Sequence, residues 1–230
     1  TKLLQAYPTA FTYCWFHPKI GLWMGATPER LLKANENKFS TMALAGTQIF
    51  EGSKEVVWGK KEIEEQQFVT DFILENLKKK TSEVTISSPY TLKAGNLLHI
   101  KTDIEGVINE QSNLKEVVSI LHPTPAVCGL PKDKAKAFIF ENEGYDRGYY
   151  SGFLGELNRR GIGKQKSKSD LFVNLRCMQM EIDPPVIGKK EAMVVTKAHL
   201  YMGCGITKDS IPEKEWKESV NKSMTIRRVL

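Results

Sequence analysis

The sequence is short of cysteine and has no long apolar run. Its four cysteines, Cys14, Cys128, Cys177 and Cys204, are scattered over 230 residues with no CxxC spacing. That excludes a disulfide-built scaffold and argues against a zinc site. It favours buried thiols in a reducing compartment, so a cytoplasmic location is expected. No stretch approaches the roughly 20 apolar residues of a membrane helix, and no signal peptide is visible, so no membrane partner is expected. Internal repeats, low-complexity segments and a GxGxxG dinucleotide fingerprint are also missing. The chain starts at Thr1 in apolar, strand-like sequence, as a processed protein or a fragment of a longer one would.

What is present is ordinary for one large globular domain: 41% hydrophobic and 26% charged residues. The formal charge of +6 raises the question of nucleic acid. Most lysines, however, alternate with acids, as in "GKKEIEEQQ" and "IPEKEWKESVNKS". The one basic run, "GIGKQKSKS" (161–169), is rich in Gly and Ser and reads as a solvated loop. No nucleic-acid partner is expected, and a non-catalytic basic binding domain is the remote alternative.

Aromatic and apolar bias predicts strands over 11–16, 22–25 and 38–44. From Glu55 to about Lys80, Ile63, Phe68, Phe72, Ile73 and Leu77 fit a helical stripe. Strands are expected at 83–87 and 96–108, a helix near 113–121, and another helix from about 132 to 143. Strands follow at 151–158, 170–182 and 191–203, and a terminal helix starts at Pro212. Runs of strands separated by helices predict an α+β fold with a large, mostly antiparallel sheet and packed helices, in a single domain over 1–230. Between two of the helices, "ILHPTPAVCGLP" (120–131) holds three prolines and reads as a stiff loop, neither helix nor central strand.

Several residues have both a structural and a chemical reading. Glu62 and Glu65 share one helix face, and so do Glu215 and Glu218, with Lys222 further along the same stripe. They are solvated helix faces, or carboxylates facing each other across a cleft around a divalent cation. Arg176, expected mid-strand on a largely apolar face, needs a partner, either a core carboxylate or the carboxylate of a substrate. "GATPERLL" (25–32) reads as a helix start with Thr27 as N-cap and Pro28 at N1, or else presents Glu29 as a general acid kept protonated by an apolar site. Gly46 in "TMALAGTQ", and Gly203 and Gly205 in "YMGCGIT", mark turns or places where backbone approaches a ligand closely. His99 and Tyr150, taken singly, read as satisfied core residues.

Nine segments in this order resemble the chorismate-utilising enzymes: "GATPERLL", "ALAGT", "KEIEEQQFV", "LLHIKTDIEG", "LHPTPAVCGLP", "EGYDRGYYSGFLGEL", "FVNLRCMQM", "YMGCGI" and "EWKESVNKS". The resemblance covers nearly the whole chain. It implies the chorismate-binding fold of the family that includes isochorismate, salicylate, anthranilate and aminodeoxychorismate synthases. By it, Glu65 and Glu218 are ligands of a Mg²⁺ cofactor, with Glu62 and Glu215 behind them. Arg176 and Tyr150 hold a substrate carboxylate, helped by the backbone of Gly203 and Gly205 and by Lys222. Gly46, Thr47 and His99 line the pocket, and Glu29 is the general acid for the departing 4-hydroxyl.

The resemblance also bears on the product. Family members that deliver ammonia or eliminate pyruvate typically read His-Pro-Thr-Gly-Thr, where this chain has His122-Pro123-Thr124-Pro125-Ala126. Thr124 and Ala126 are thereby substrate-pocket residues, and Ala126, without a hydroxyl, implies that reaction stops at isochorismate. Tyr150 points the other way, toward salicylate synthase, because phenylalanine is common there in isochorismate synthases; an amidotransferase-coupled synthase component I is the further alternative. The family's base lysine, upstream of the region matching "YPTAF", has no counterpart in this chain. The resemblance therefore implies the C-terminal portion of a longer, monomeric enzyme of menaquinone or siderophore biosynthesis, and a chain inactive or nearly so on its own.

Overall fold

The computed structural model describes residues 2–50, 52, 56–95, 97–160, 167–182 and 195–230. Most of the basic run at 161–169 and the first part of the strand expected over 191–203 lie outside the described residues.

Two antiparallel sheets carry the fold. In the smaller, β1 (Phe11–His17) and β2 (Gly21–Thr27) form a hairpin. Beside them lie β10 (Cys177–Ile182) and β11 (Val195–Tyr201), giving the order β1-β2-β10-β11. The larger sheet is built from β3 (Arg30–Asn35), β4 (Lys38–Ile49), β5 (Thr81–Ile86), β6 (Tyr90–Ala94), β7 (Leu97–Ile108), β8 (Phe153–Arg160) and β9 (Ser167–Val173). Its order is β5-β7-β4-β3-β9-β8, with β6 following β5 along the same edge of β7. The helices are α1 (Lys2–Ala6), α2 (Lys60–Leu77), α3 (Leu114–Leu121), α4 (Pro125–Cys128), α5 (Lys132–Asn142) and α6 (Pro212–Arg227). The expected α+β architecture with a large antiparallel sheet is what forms.

The main core lies between the seven-stranded sheet and the helices α2 and α3, with Leu31, Leu32, Ile73, Leu77, Ile104, Val117 and Leu121 almost wholly buried. Each such side chain contributes about 1.5–3 kcal/mol by leaving water. A smaller core of Leu3, Ala26, Met178 and Ile226 seats α1 and α6 on the four-stranded sheet. Asn113 and Glu116 close a reciprocal capping box at the start of α3.

Four local expectations are corrected. Residues 25–32 do not start a helix: they are the end of β2, a two-residue link and the start of β3. The cap-like bond from Glu29 N–H to Thr27 Oγ1 does form, at 3.3 Å, but within that link. Strand pairing on both sides, Gly25 with Cys177 and Arg30 with Phe172, satisfies the backbone that a helix would otherwise have used. The strand expected over 170–182 is broken at Asn174–Arg176 into β9 and β10, which lie in different sheets, and Arg176 has φ 49°. The buried stripe of α2 is Gln66, Val69, Thr70, Ile73 and Leu77, while Ile63 and Phe68 stand exposed. Polar residues belong to that stripe because Gln66 Nε2 donates to both Thr70 and Thr102. Finally, the proline-rich loop contains one helical turn, α4, with Pro125 in its first turn where a missing N–H costs nothing.

The two broken stretches are what position the site. The chain crosses from the small sheet to the large one at Pro28–Glu29, and returns at Asn174–Arg176. The crossings lie side by side: Val173 N–H donates to Glu29 O at 3.0 Å, and Ala26 N–H to Arg176 O at 3.1 Å. Glu29 and Arg176 therefore stand where the two sheets part.

Candidate active site

The wedge between the parting sheets holds a cavity of about 170 Å³. Glu29 and Arg176 line it from the crossings, and Gly46, Thr47 and His99 from β4 and β7. Glu65 enters from α2, Lys222 from α6, and Ala126 from α4. Tyr150, Gly203 and Gly205 complete the wall. Thr124 stands behind Glu29, with its hydroxyl 3.5 Å from Glu29 Oε1. Glu62, Glu215 and Glu218 line a second, adjoining cleft of about 460 Å³ between α2 and α6, which shares Thr47 with the first.

Glu29 is 6% exposed, and burial pushes its carboxyl up to about 7. The Thr124 hydrogen bond and the charges of Lys222 and Arg176 oppose that rise without cancelling it. It is therefore a carboxylic acid that still holds a proton near neutrality. Arg176 is 8% exposed, and burial lowers it to about 10, which leaves it charged. Its Nη1 donates to Thr225 Oγ1 at 3.3 Å, and among the described residues it forms no ion pair. Of its two sequence readings, the core carboxylate partner is not found.

His99 is 6% exposed, and burial first, then Arg176 and Lys222, lowers it to about 3. Its Nδ1 lies 3.1 Å from Gly46 O, which can only accept, and 3.2 Å from the Thr47 hydroxyl, which can accept too, so a hydrogen on Nδ1 suits both. Nε2 is then an acceptor, buried and with no partner among the described residues. Tyr150 stacks on Tyr201 at 5.6 Å between ring centroids, and burial raises its hydroxyl far above the usual tyrosine value.

The carboxylates come from facing helices, as their spacing allows. Burial raises Glu65, and Glu218 adds to the rise while Lys222 and Lys61 oppose it. Glu218 is ion-paired to Lys222 at 2.6 Å, and the Lys222 ammonium also donates to Gly203 O at 3.0 Å. Glu215 is ion-paired to Lys61, which ties α6 to α2. Among the described residues no three His, Cys, Asp or Glu side chains gather into a metal cluster. Oxygen-only donors that repel each other fit a hard divalent cation with most of its coordination left to water and ligand.

The glycines make room for these groups. Gly46 has φ 70° at a register shift between β4 and β7, and a Cβ there would meet Glu62 at 3.1 Å. A Cβ on Gly205 would fall 2.4 Å from Glu65 Oε1, and one on Gly203 would fall 2.9 Å from the Tyr150 hydroxyl. The close approach expected at these two glycines is to site side chains. Sequence reasoning missed Glu143, Tyr145 and Arg147, which also line the cavity. They lie in the quoted stretch "EGYDRGYYSG", but nothing in their spacing announces a shared pocket.

The cavity is small, and it gathers a buried acid whose value is raised to about 7, a buried guanidinium with no ion-pair partner among the described residues, and carboxylates from facing helices, a combination typical of a small-molecule site. The family model described as chorismate binding enzyme matches residues 1–230, and the chain belongs to that family. It is 30% identical over 240 residues to isochorismate synthase EntC of Escherichia coli (strain K12), covering 99% of this chain and 56% of that protein. It is 29% identical over 217 residues to the salicylate biosynthesis isochorismate synthase of Pseudomonas aeruginosa, covering 90% of this chain and 42% of that protein. The solved structure of MenF, the menaquinone-specific isochorismate synthase from Escherichia coli, matches with TM-score 0.78 at 26% identity, over 98% of this chain and 50% of that one. The chain thus spans about half the length of the relatives it matches.

Proposed function

We propose that this chain carries the substrate pocket of a Mg²⁺-dependent isochorismate synthase, in which water adds at C2 of chorismate as the 4-hydroxyl leaves. The observation that carries the reading is Glu29, a buried carboxyl poised at about 7 in the same cavity as Arg176 and Lys222. Arg176, with its planar fork, and Tyr150 hold one substrate carboxylate. Glu29 gives its proton to the departing hydroxyl, which leaves as water and balances the water that added. His99, neutral, accepts a substrate hydroxyl at Nε2.

Glu65 and Glu218 would hold the Mg²⁺, with Glu62 and Glu215 supporting them. Bound there, the ion would neutralise and orient a substrate carboxylate. Lys222 is the only lysine among the described residues lining the cavity, and its ammonium is engaged by Glu218 and Gly203. No other lysine among the described residues lines the cavity as a base for water, and the family resemblance assigns that base to a segment upstream of the region matching "YPTAF".

Ala126 forms part of the cavity wall and offers no hydroxyl there, which favours stopping at isochorismate. The second reading, salicylate synthase, rests on Tyr150, whose phenol takes the place of the phenylalanine common in isochorismate synthases. Product analysis of the full-length protein with chorismate and Mg²⁺ tests both. Isochorismate without pyruvate is expected; pyruvate from the unaltered protein would overturn the assignment. Ala126→Thr should raise pyruvate release.

A further inference from the structure

Arg147 lines the cavity wall, yet four of its five N–H donors are taken by other residues. Its Nε donates to Glu143 Oε2 at 2.6 Å, and its Nη2 to Glu143 Oε1. Its Nη1 donates to Val127 O and to Ser151 Oγ, both at 3.1 Å. The guanidinium carbon lies 5.6 Å from the centre of the Tyr150 ring. A side chain this committed acts on other residues.

The groups it joins are informative. Val127 follows Ala126 directly in α4. Ser151 follows Tyr150 and has φ 62°, a left-handed backbone that a serine keeps only when its surroundings hold it. Besides the bond that Ser151 Oγ accepts from Arg147, two others do so: Ser151 N–H donates to Asn174 O at 2.9 Å, and His122 Nε2 donates to Ser151 O at 2.8 Å. Glu143, the residue that closes α5, fixes the guanidinium plane from behind.

We propose that Arg147 is a positioning residue that sets Ala126 and Tyr150 relative to each other, and so governs both substrate affinity and the choice of product. The inference rests on the isochorismate synthase reading above. Lysine is a poor replacement, because one ammonium cannot reproduce a planar fork that bonds a carboxylate, a carbonyl and a hydroxyl at once.

The test uses the full-length protein with chorismate and Mg²⁺, measuring KM, kcat and the ratio of pyruvate to isochorismate. Arg147→Lys is expected to raise KM about tenfold and to raise the pyruvate fraction, since a displaced wall fits bound chorismate less well and changes what Ala126 and Tyr150 present to it. Glu143→Gln, which leaves Arg147 in place but unfixed, should shift both in the same direction by less. If Arg147→Lys fails to fold, Glu143→Gln still decides. An unchanged KM and product ratio in Arg147→Lys, or a loss confined to kcat through a smaller folded fraction, would overturn the proposal. Wild-type protein that neither binds nor converts chorismate would instead remove the underlying reading of function.

Discussion

Glu29 answers to two opposed demands, since a carboxyl in a dry wedge destabilises the fold when ionised but serves as an acid only while it keeps its proton. Its folded value of about 7 stands above the ordinary 4.5, so the proton binds more tightly in the folded state. The associated stability is fully present below about pH 4.5 and is lost as pH rises through about 7, a swing of about 3 kcal/mol. Glu29→Gln should therefore melt higher than the wild type at pH 8, and the advantage should shrink toward pH 4.5, as thermal unfolding at both pH values would reveal. The same substitution should leave chorismate binding intact while turnover of the full-length enzyme falls by about 10²–10⁴-fold. Wild-type kcat should decline above about pH 7 as the acid form is titrated away, and a kcat still rising from pH 7 to 9 would remove Glu29 from that role. His99 should add no limb near pH 6.5, because burial keeps it neutral down to about 3.

At the scale of elements, the site depends on two chain crossings and two facing helices. The loop after β11 passes so close to α2 that Gly205 and Glu65 leave no room for a methyl group between them. Gly205→Ala should displace the Glu65 carboxylate and reduce the rise in melting temperature that added Mg²⁺ produces, while the metal-free protein melts nearly as before. An unchanged Mg²⁺ response would show that Glu65 does not take part in holding the ion. The broken strand at Asn174–Arg176 matters in the same way. It turns the Arg176 guanidinium into the wedge, whereas an unbroken strand would have kept Arg176 within a single sheet.

At the scale of the whole molecule, the described residues assemble the pocket around a single lysine. The cavity has an acid, a guanidinium and carboxylates, and its one lysine among the described residues is held by Glu218. The 230-residue chain is accordingly expected to bind chorismate in a Mg²⁺-dependent way by calorimetry, with turnover absent or nearly so. Isochorismate formation by the chain at a rate comparable to the full-length enzyme would refute that. No helix among the described residues is long and apolar enough to cross a membrane.

The sequence by itself determined the fold class and the long helices, and it named many of the residues that the structure brings to the cavity. Those follow from local periodicity, from proline at the start of α6, and from motifs whose order survives without coordinates. Only the tertiary structure decided the rest. Residues 25–32 carry every local mark of a helix start, and 170–182 read as one strand, because capping chemistry and alternation are all that neighbours along a chain can express. Pairing with residues about 140 positions away overrode both, since two antiparallel sheets must exchange strands somewhere, and they do so at Glu29 and Arg176. Arg147 stayed illegible for a related reason: Glu143 and Ser151 lie four residues away with no helix to make that spacing meaningful, and Val127, 20 positions away, becomes a neighbour only through the tertiary fold.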